Sequence, residues 1–360
     1  MQPALALSSD PAPEPRSPWI LNGWLDLAFV CGGLPWLLAA TNALAQHAAW
    51  VRVTAALSVS TVVLTTVLSN PHTMATLVRI YWTPEARERF HVYARTLVLP
   101  CVALCAVGFV VQGAVPLMLL GYLVWVIQHY SSQCYGITLI YCYKRGYPLS
   151  ATQKQLVRVL YQATAAVAIV RRFTWPDWGA RVFLGYDIPS WTVPMPFLWA
   201  ANAVFVVALA ANLVLGVETV RDTGRTPPLP ALVLTGSTLA FLLLSGWFSG
   251  LLALYVPAVF HGSQYLAVAA SYHLKEGSTR PSHAGMWAAL RSSTGAFYFL
   301  LLVLGGAFIY VGLPRVLEEM GMRFATAMAS IFAVVNFHHF LTDRAIWRLR
   351  DPRTREILLA

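Results

Sequence analysis

The sequence predicts an all-α fold, a polytopic transmembrane helical bundle of about ten spans with both termini cytoplasmic. Three observations predict it. Of the 360 residues, 58% are hydrophobic and only 11% charged, against about 25% charged in an ordinary soluble domain, and the mean hydropathy is +0.60. Apolar stretches of about 20 residues, the length that crosses the hydrocarbon core, recur along the whole chain. With spans alternating in direction, 19 of the 25 lysines and arginines fall on the side of the N-terminus and 6 on the other, the bias expected of cytoplasmic loops.

The elements follow in order. Residues 1–18 carry five prolines and lack the basic and apolar regions of a signal peptide, so a disordered cytoplasmic tail is expected. The spans of the 19–343 domain are expected near Trp24–Ala45, Val53–Ser69, Tyr93–Val111, Val115–Tyr143, Leu156–Val170, Phe197–Val217, Leu229–Trp247, Leu251–Leu274, Trp287–Leu313 and Phe324–Thr342. The fifth is short and flanked by Arg158 and Arg171–Arg172. After it, Thr174–Pro196, rich in Trp and Pro, suits the membrane interface. Residues 344–360, with Trp347, Arg348 and Arg350, read as a cytoplasmic interfacial tail. The five cysteines form no CxxC pair and read as small packing residues. The net charge of +10 is the charge of cytoplasmic loops against anionic lipid headgroups, not of a nucleic-acid binder. An integral protein of a bacterial inner membrane is expected.

Polar groups in a bilayer cost several kcal/mol when unpaired, so each is a functional candidate. Four segments carry them. In Asn70-Pro71-His72-Thr73-Met74-Ala75-Thr76, His72, Thr76 and Arg79 share a helix face. In Gln128-His129-Tyr130-Ser131-Ser132-Gln133, His129 and Gln133 lie one turn apart near the middle of the fourth span. The eighth span carries His261-Gly262-Ser263-Gln264-Tyr265 and, three turns on, His273. The tenth ends in Asn336-Phe337-His338-His339-Phe340-Leu341-Thr342-Asp343, where His339 and Asp343 are spaced i, i+4 and His338 lies about 100° around the helix. His72, His129, His261, His273, His338, His339 and Asp343 therefore come from four spans, all at mid-membrane or in the cytoplasmic half. Helices that bring them together build one cavity.

Imidazole with carboxylate suits iron, zinc, copper or manganese. A histidine-rich membrane site without thiolates points to non-haem iron, one ion or two, working with dioxygen on a lipophilic substrate. In that reading the histidines hold the metal and Asp343 is an anionic ligand or acceptor. Gln133 and Gln264 orient imidazoles, and Tyr130, Tyr135 or Tyr265 bonds a bound oxygen species. With histidines dispersed over a helical bundle, the chain resembles the integral-membrane histidine-motif oxygenases, the group of desaturases, hydroxylases and carotene dioxygenases. The HxxxH and HxxHH boxes of desaturases are absent. The resemblance implies a membrane oxidoreductase with a lipid or other lipophilic substrate, and a separate electron donor where electrons are needed. Two other classes are legible. His338 and His339 with Asp343 fit HxxxxD and HHxxxD acyltransferase patterns, with histidine as general base. Haem between His129 and His261, or proton-coupled transport with Asp26 as the carboxylate inside the spans, is the third.

Overall fold

The computed structural model describes residues 17–47, 51–111, 113–147, 149–175, 181–244, 252–276 and 288–359. Most of the predicted N-terminal tail, the end of the seventh span at Trp247 and the start of the ninth at Trp287 lie outside the described residues. What is described is almost entirely helical. The helices are α1 (Gly23–Val30), α2 (Gly33–His47), α3 (51–81), α4 (Pro84–Arg89), α5 (Val92–Val110), α6 (Ala114–Lys144), α7 (Ala151–Thr174), α8 (Met195–Thr223), α9 (Leu229–Leu244), α10 (Leu252–Glu276), α11 (Ser293–Glu319), α12 (Phe324–Ile346) and α13 (Pro352–Leu359).

Helices stand at all ten positions where the hydropathy predicts spans, but not all are alike. Among the described residues five are long and apolar enough to cross a membrane: α5, α6, α8, α11 and α12. A sixth is obtained when α1 and α2, bent by 50° at their junction, count as one broken span. The bend falls where Gly32 takes φ +99, a backbone that side-chain-bearing residues avoid. α9 is shorter, at 16 residues. The face α8 turns outward carries Val206, Val207, Leu213 and Val214, all exposed, as expected of a helix whose surroundings are lipid. This is the structure of a membrane protein.

Local chemistry sets several helix ends. α7 starts in a capping box: the Ser150 hydroxyl accepts from Gln153 N–H and the Gln153 side chain accepts from Ser150 N–H. α8 ends at Gly224, which adopts φ +66. The Thr174–Pro196 segment is not featureless. It contains a small hairpin pairing Val182 with Asp187 and Phe183 with Tyr186, and Phe183 packs on Tyr122 of α6 and Phe332 of α12. Trp191 stacks on Phe173; Trp178 lies outside the described residues. The C-terminal tail docks rather than simply lying at the surface: α13 contacts α6 and α10 and buries Thr354 and Leu358.

Four helices meet at the centre: α3, α6, α10 and α12. The course of α3 is irregular there. A π-helical turn, Thr65–Ser69, leads directly into Asn70-Pro71-His72. Proline has no N–H for the ladder, and a widened turn absorbs that defect. Neighbouring helices press close on this turn. A Cβ on Gly262 of α10 would sit 2.6 Å from Leu68 O and from Ser69 Cα, and one on Gly306 of α11 would sit 2.9 Å from Asn70 C and O. Small residues at these crossings bring the backbones together. They set His261, beside Gly262, against His72, just past the π-turn.

Candidate metal centre

Each histidine arrives by a different local device. His72 follows the π-turn, and its Nδ1 is bonded to the carbonyl oxygen of Ser69. A carbonyl only accepts, so Nδ1 carries the proton and Nε2 keeps its lone pair. His339 shows a related arrangement. Its Nδ1 lies 2.7 Å from the Thr76 hydroxyl, which in turn donates to Asp343 Oδ1 at 3.1 Å. The same hydroxyl lies 2.5 Å from Tyr265 OH; in the tautomer where Thr76 donates to an oxygen, His339 Nδ1–H is the donor and Nε2 keeps its lone pair. Both arrangements have the form by which metal-ligating histidines are held: one ring nitrogen anchored to the protein, the other presented inward.

His72, His129, His261 and His339 are all buried. Their ring centroids form a nearly equal-sided quadrilateral, with sides of 4.9 Å from His72 to His261, 4.8 Å from His261 to His129, 5.0 Å from His129 to His339 and 4.6 Å from His339 to His72. The His261–His339 diagonal is 6.2 Å. Every ring meets its neighbours edge-on, at interplanar angles of 69–87°. An ion about 2.1 Å from each imidazole nitrogen stands about 3.2 Å from each ring centre, which spaces adjacent rings by about 4.5–5.2 Å. The observed sides fall in that interval. Ligand atoms of His72, His261 and His339 lie within 4.8 Å of one another, and so do those of His129, His339 and Asp343.

The inner nitrogens are also incomplete. His129 Nε2, both ring nitrogens of His261 and His339 Nε2 are buried without a hydrogen-bond partner among the described residues. A buried polar atom without a partner costs about 1–3 kcal/mol, and these three imidazoles carry the chemistry to ligate a cation. Asp343 supplies the anion. Its Oδ1 accepts from Tyr265 OH at 2.8 Å and from Thr76, while its Oδ2 faces His339 Nε2 at 3.4 Å and His129 Nε2 at 3.7 Å. Tyr265 OH in turn accepts from Trp347 Nε1 at 3.0 Å. Flat side chains clamp the rings: Phe340 stacks on His129 at 4.3 Å and Tyr130 on His261 at 4.2 Å.

The other sequence-predicted residues are placed elsewhere or differently. His338, on the face of α12 away from the centre, bonds through Nε2 to Tyr93 O at 3.0 Å. His273 stacks on Tyr298 at 4.0 Å and lines another cleft. Gln133 and Gln264 bond each other, at 3.0 Å, rather than the imidazoles. Gln133 also donates to the His261 carbonyl, and Gln264 to Val30 O. They fix the backbone of α10 beside His261. Tyr130 meets the site through its ring. The sequence shows Thr76 as a helix-face neighbour of His72 and Trp347 as a tail residue; their hydroxyl and indole roles depend on packing between helices. Asp26 accepts from Ile20 N–H, Leu21 N–H and Tyr141 OH.

One face of the centre is open. A cavity of about 200 Å³ reaches His129 and Asp343 and is lined by Ile137, Ile140, Val268, Leu349 and Leu358. Compared with protein-family models, curated proteins and solved structures, the chain matches none.

Proposed function

We propose that this chain is a membrane-embedded, non-haem metal oxidoreductase, with iron as the metal and a lipophilic substrate that reaches the metal from the cytoplasmic side. The observation that carries the reading is the ring of four buried imidazoles, three of them with unpartnered ring nitrogens, beside one carboxylate. Nitrogen and oxygen donors without thiolates suit iron, and also zinc and copper.

The two ligand triads share His339, whose Nδ1 is engaged with Thr76. Its Nε2 has one lone pair and serves one ion. His72, His129, His261, His339 and Asp343 would hold one ion or two, one for each triad. When bound, iron supplies redox chemistry with dioxygen. The protein's own groups have definable tasks. Ser69 O and Thr76 hold the protons of His72 and His339 away from the centre. Tyr265, itself held by Trp347, fixes the Asp343 carboxylate. Phe340 and Tyr130 exclude water from two flanks, and the apolar cavity beside His129 admits the hydrocarbon part of the substrate. Ten spans, cytoplasmic termini, a bacterial inner membrane and a separate electron donor belong to this proposal as well.

The geometry favours this reading over its rivals. A haem between two histidines needs the surrounding plane for its macrocycle, and here the other two imidazoles occupy it. A His339–Asp343 dyad for acyl transfer leaves three converging imidazoles without a task, and His338 faces Tyr93. The test is metal analysis with an optical spectrum of the purified chain. Stoichiometric iron, one or two ions per chain, without a Soret band is expected. A Soret band, or no metal at all, would sink the reading.

A further inference from the structure

A second cleft, of about 720 Å³, opens at the ends of α3 and α10 and is lined by α4, α11 and the C-terminal segment as well. Arg79 stands in its wall, two turns beyond His72 on α3. A snorkelling arginine, the bland expectation at this position, would hold its guanidinium in water. This one does not: the Arg79 side chain is 9% exposed. Its guanidinium lies 3.6 Å over the Tyr272 ring and 5.4 Å from Trp347.

One edge of that guanidinium is free. Nη1 approaches Glu276 Oε2 at 3.5 Å, a long contact, while Nε and Nη2 are buried with no hydrogen-bond partner among the described residues. Nε and Nη2 together form the side-on fork that grips two oxygens of one carboxylate or phosphate. Glu276 is also bonded to Arg353 at 2.9 Å, so this carboxylate is shared between two guanidiniums; Glu85 lines the cleft as well, and Arg89 is paired with Asp351. The lining also has an apolar part, Val78, Phe90, Leu301 and the exposed Trp82 and Phe297, beside the hydroxyls of Thr83, Ser292 and Thr294.

From the free guanidinium edge and the exposed aromatic rim, we infer that this cleft binds the carboxylate or phosphate headgroup of an anionic amphiphile from the surrounding membrane. Arg79 forks the headgroup oxygens, and Trp82 and Phe297 lie along the acyl chain. Trp347 lines both this cleft and the cavity at His129, so the headgroup site adjoins the metal centre. The inference stands without the metal reading.

Native mass spectrometry of the full chain in detergent tests it, with dioleoylphosphatidylglycerol, oleate, dioleoylphosphatidylcholine and inorganic phosphate as probes. One saturable anionic lipid or oleate per chain is expected, at about tenfold lower concentration than phosphatidylcholine. Arg79→Gln and Thr294→Trp should each abolish the preference; Thr294 is an exposed lining residue, so its variant fills the cleft while leaving Arg79 in place. Arg87→Gln, exposed and outside the cleft, should keep it. Metal content and melting temperature report whether the variants fold, and Thr294→Trp decides the matter if Arg79→Gln does not. An unchanged preference in a folded Arg79→Gln or Thr294→Trp overturns the inference. So does binding without anion preference, or displacement of the lipid by inorganic phosphate at equal concentration.

Discussion

Asp26 and Asp343 are both carboxylates buried among helices, and they are treated in opposite ways. Asp26 is completed by its own chain. Oδ2 accepts from Ile20 N–H at 2.7 Å and Tyr141 OH at 2.8 Å, and Oδ1 from Leu21 N–H at 3.0 Å. It pins the segment before α1 to α6, and nothing about it calls for a ligand. Asp343 is completed on one side only. Tyr265 and Thr76 occupy Oδ1, and Oδ2 faces imidazole nitrogens that themselves have no partner. Burial of charge alone therefore does not mark a site in this protein. What marks it is a set of buried polar atoms that the chain leaves unsatisfied.

The comparison breaks most readily at the ligands. His129→Ala, His261→Ala and His339→Ala should each abolish metal binding, read as metal per chain by elemental analysis; stoichiometric metal in any of them dissolves the shared centre. Thr76→Val removes no ligand but frees His339 Nδ1 and one side of Asp343. A loss of about 10- to 100-fold in metal affinity is expected, as for other partners of ligating histidines, measured by chelator competition. Asp26→Ala should do the reverse. Its unpaired donors should cost about 3 kcal/mol of stability, seen in denaturation of the detergent-solubilised chain, with metal per folded chain unchanged. If Asp26→Ala also empties the centre, the two carboxylates are not independent.

A third carboxylate, Asp351 at the aqueous edge, sharpens the contrast at small amplitude. The hydrogen bond from Arg89 holds its pKa at about 2, below the ordinary 3.8. A depressed pKa gives stability that is present above pH 4 and lost as the pH falls from about 4 to about 2. Arg89→Gln should remove that dependence and little else, in stability measured across that window, because exposed pairs contribute less than about 1 kcal/mol.

Much of this was legible in the residues. Hydropathy located helices at ten positions because lipid demands apolar side chains over a fixed length. His72, His129, His261, His339 and Asp343 stood out because polar groups are rare in such stretches, and the His339–Asp343 spacing put both on one face. The rest was hidden for a geometric reason. Depth along a helix can be read from position, but the direction a side chain takes between neighbouring helices cannot. His338 and His339 are adjacent in sequence, yet one reaches Tyr93 on α5 and the other the centre. His273 has the depth of a ligand and the surroundings of an aromatic packing residue. Gln133 and Gln264 carry the right chemistry to orient imidazoles, but each lies nearer the other and the α10 backbone.

By itself the sequence determined the solvent, the helical class and the inventory of groups able to ligate a cation, since these depend on residue type and on spacing within one helix. Tertiary structure alone decided which four histidines face one another, and that Thr76 and Trp347 stand behind the carboxylate. Those choices depend on crossings such as the one Gly262 permits at the α3 π-turn, where a Cβ would lie 2.6 Å from Leu68 O and the backbones could not approach closely enough to bring His261 against His72.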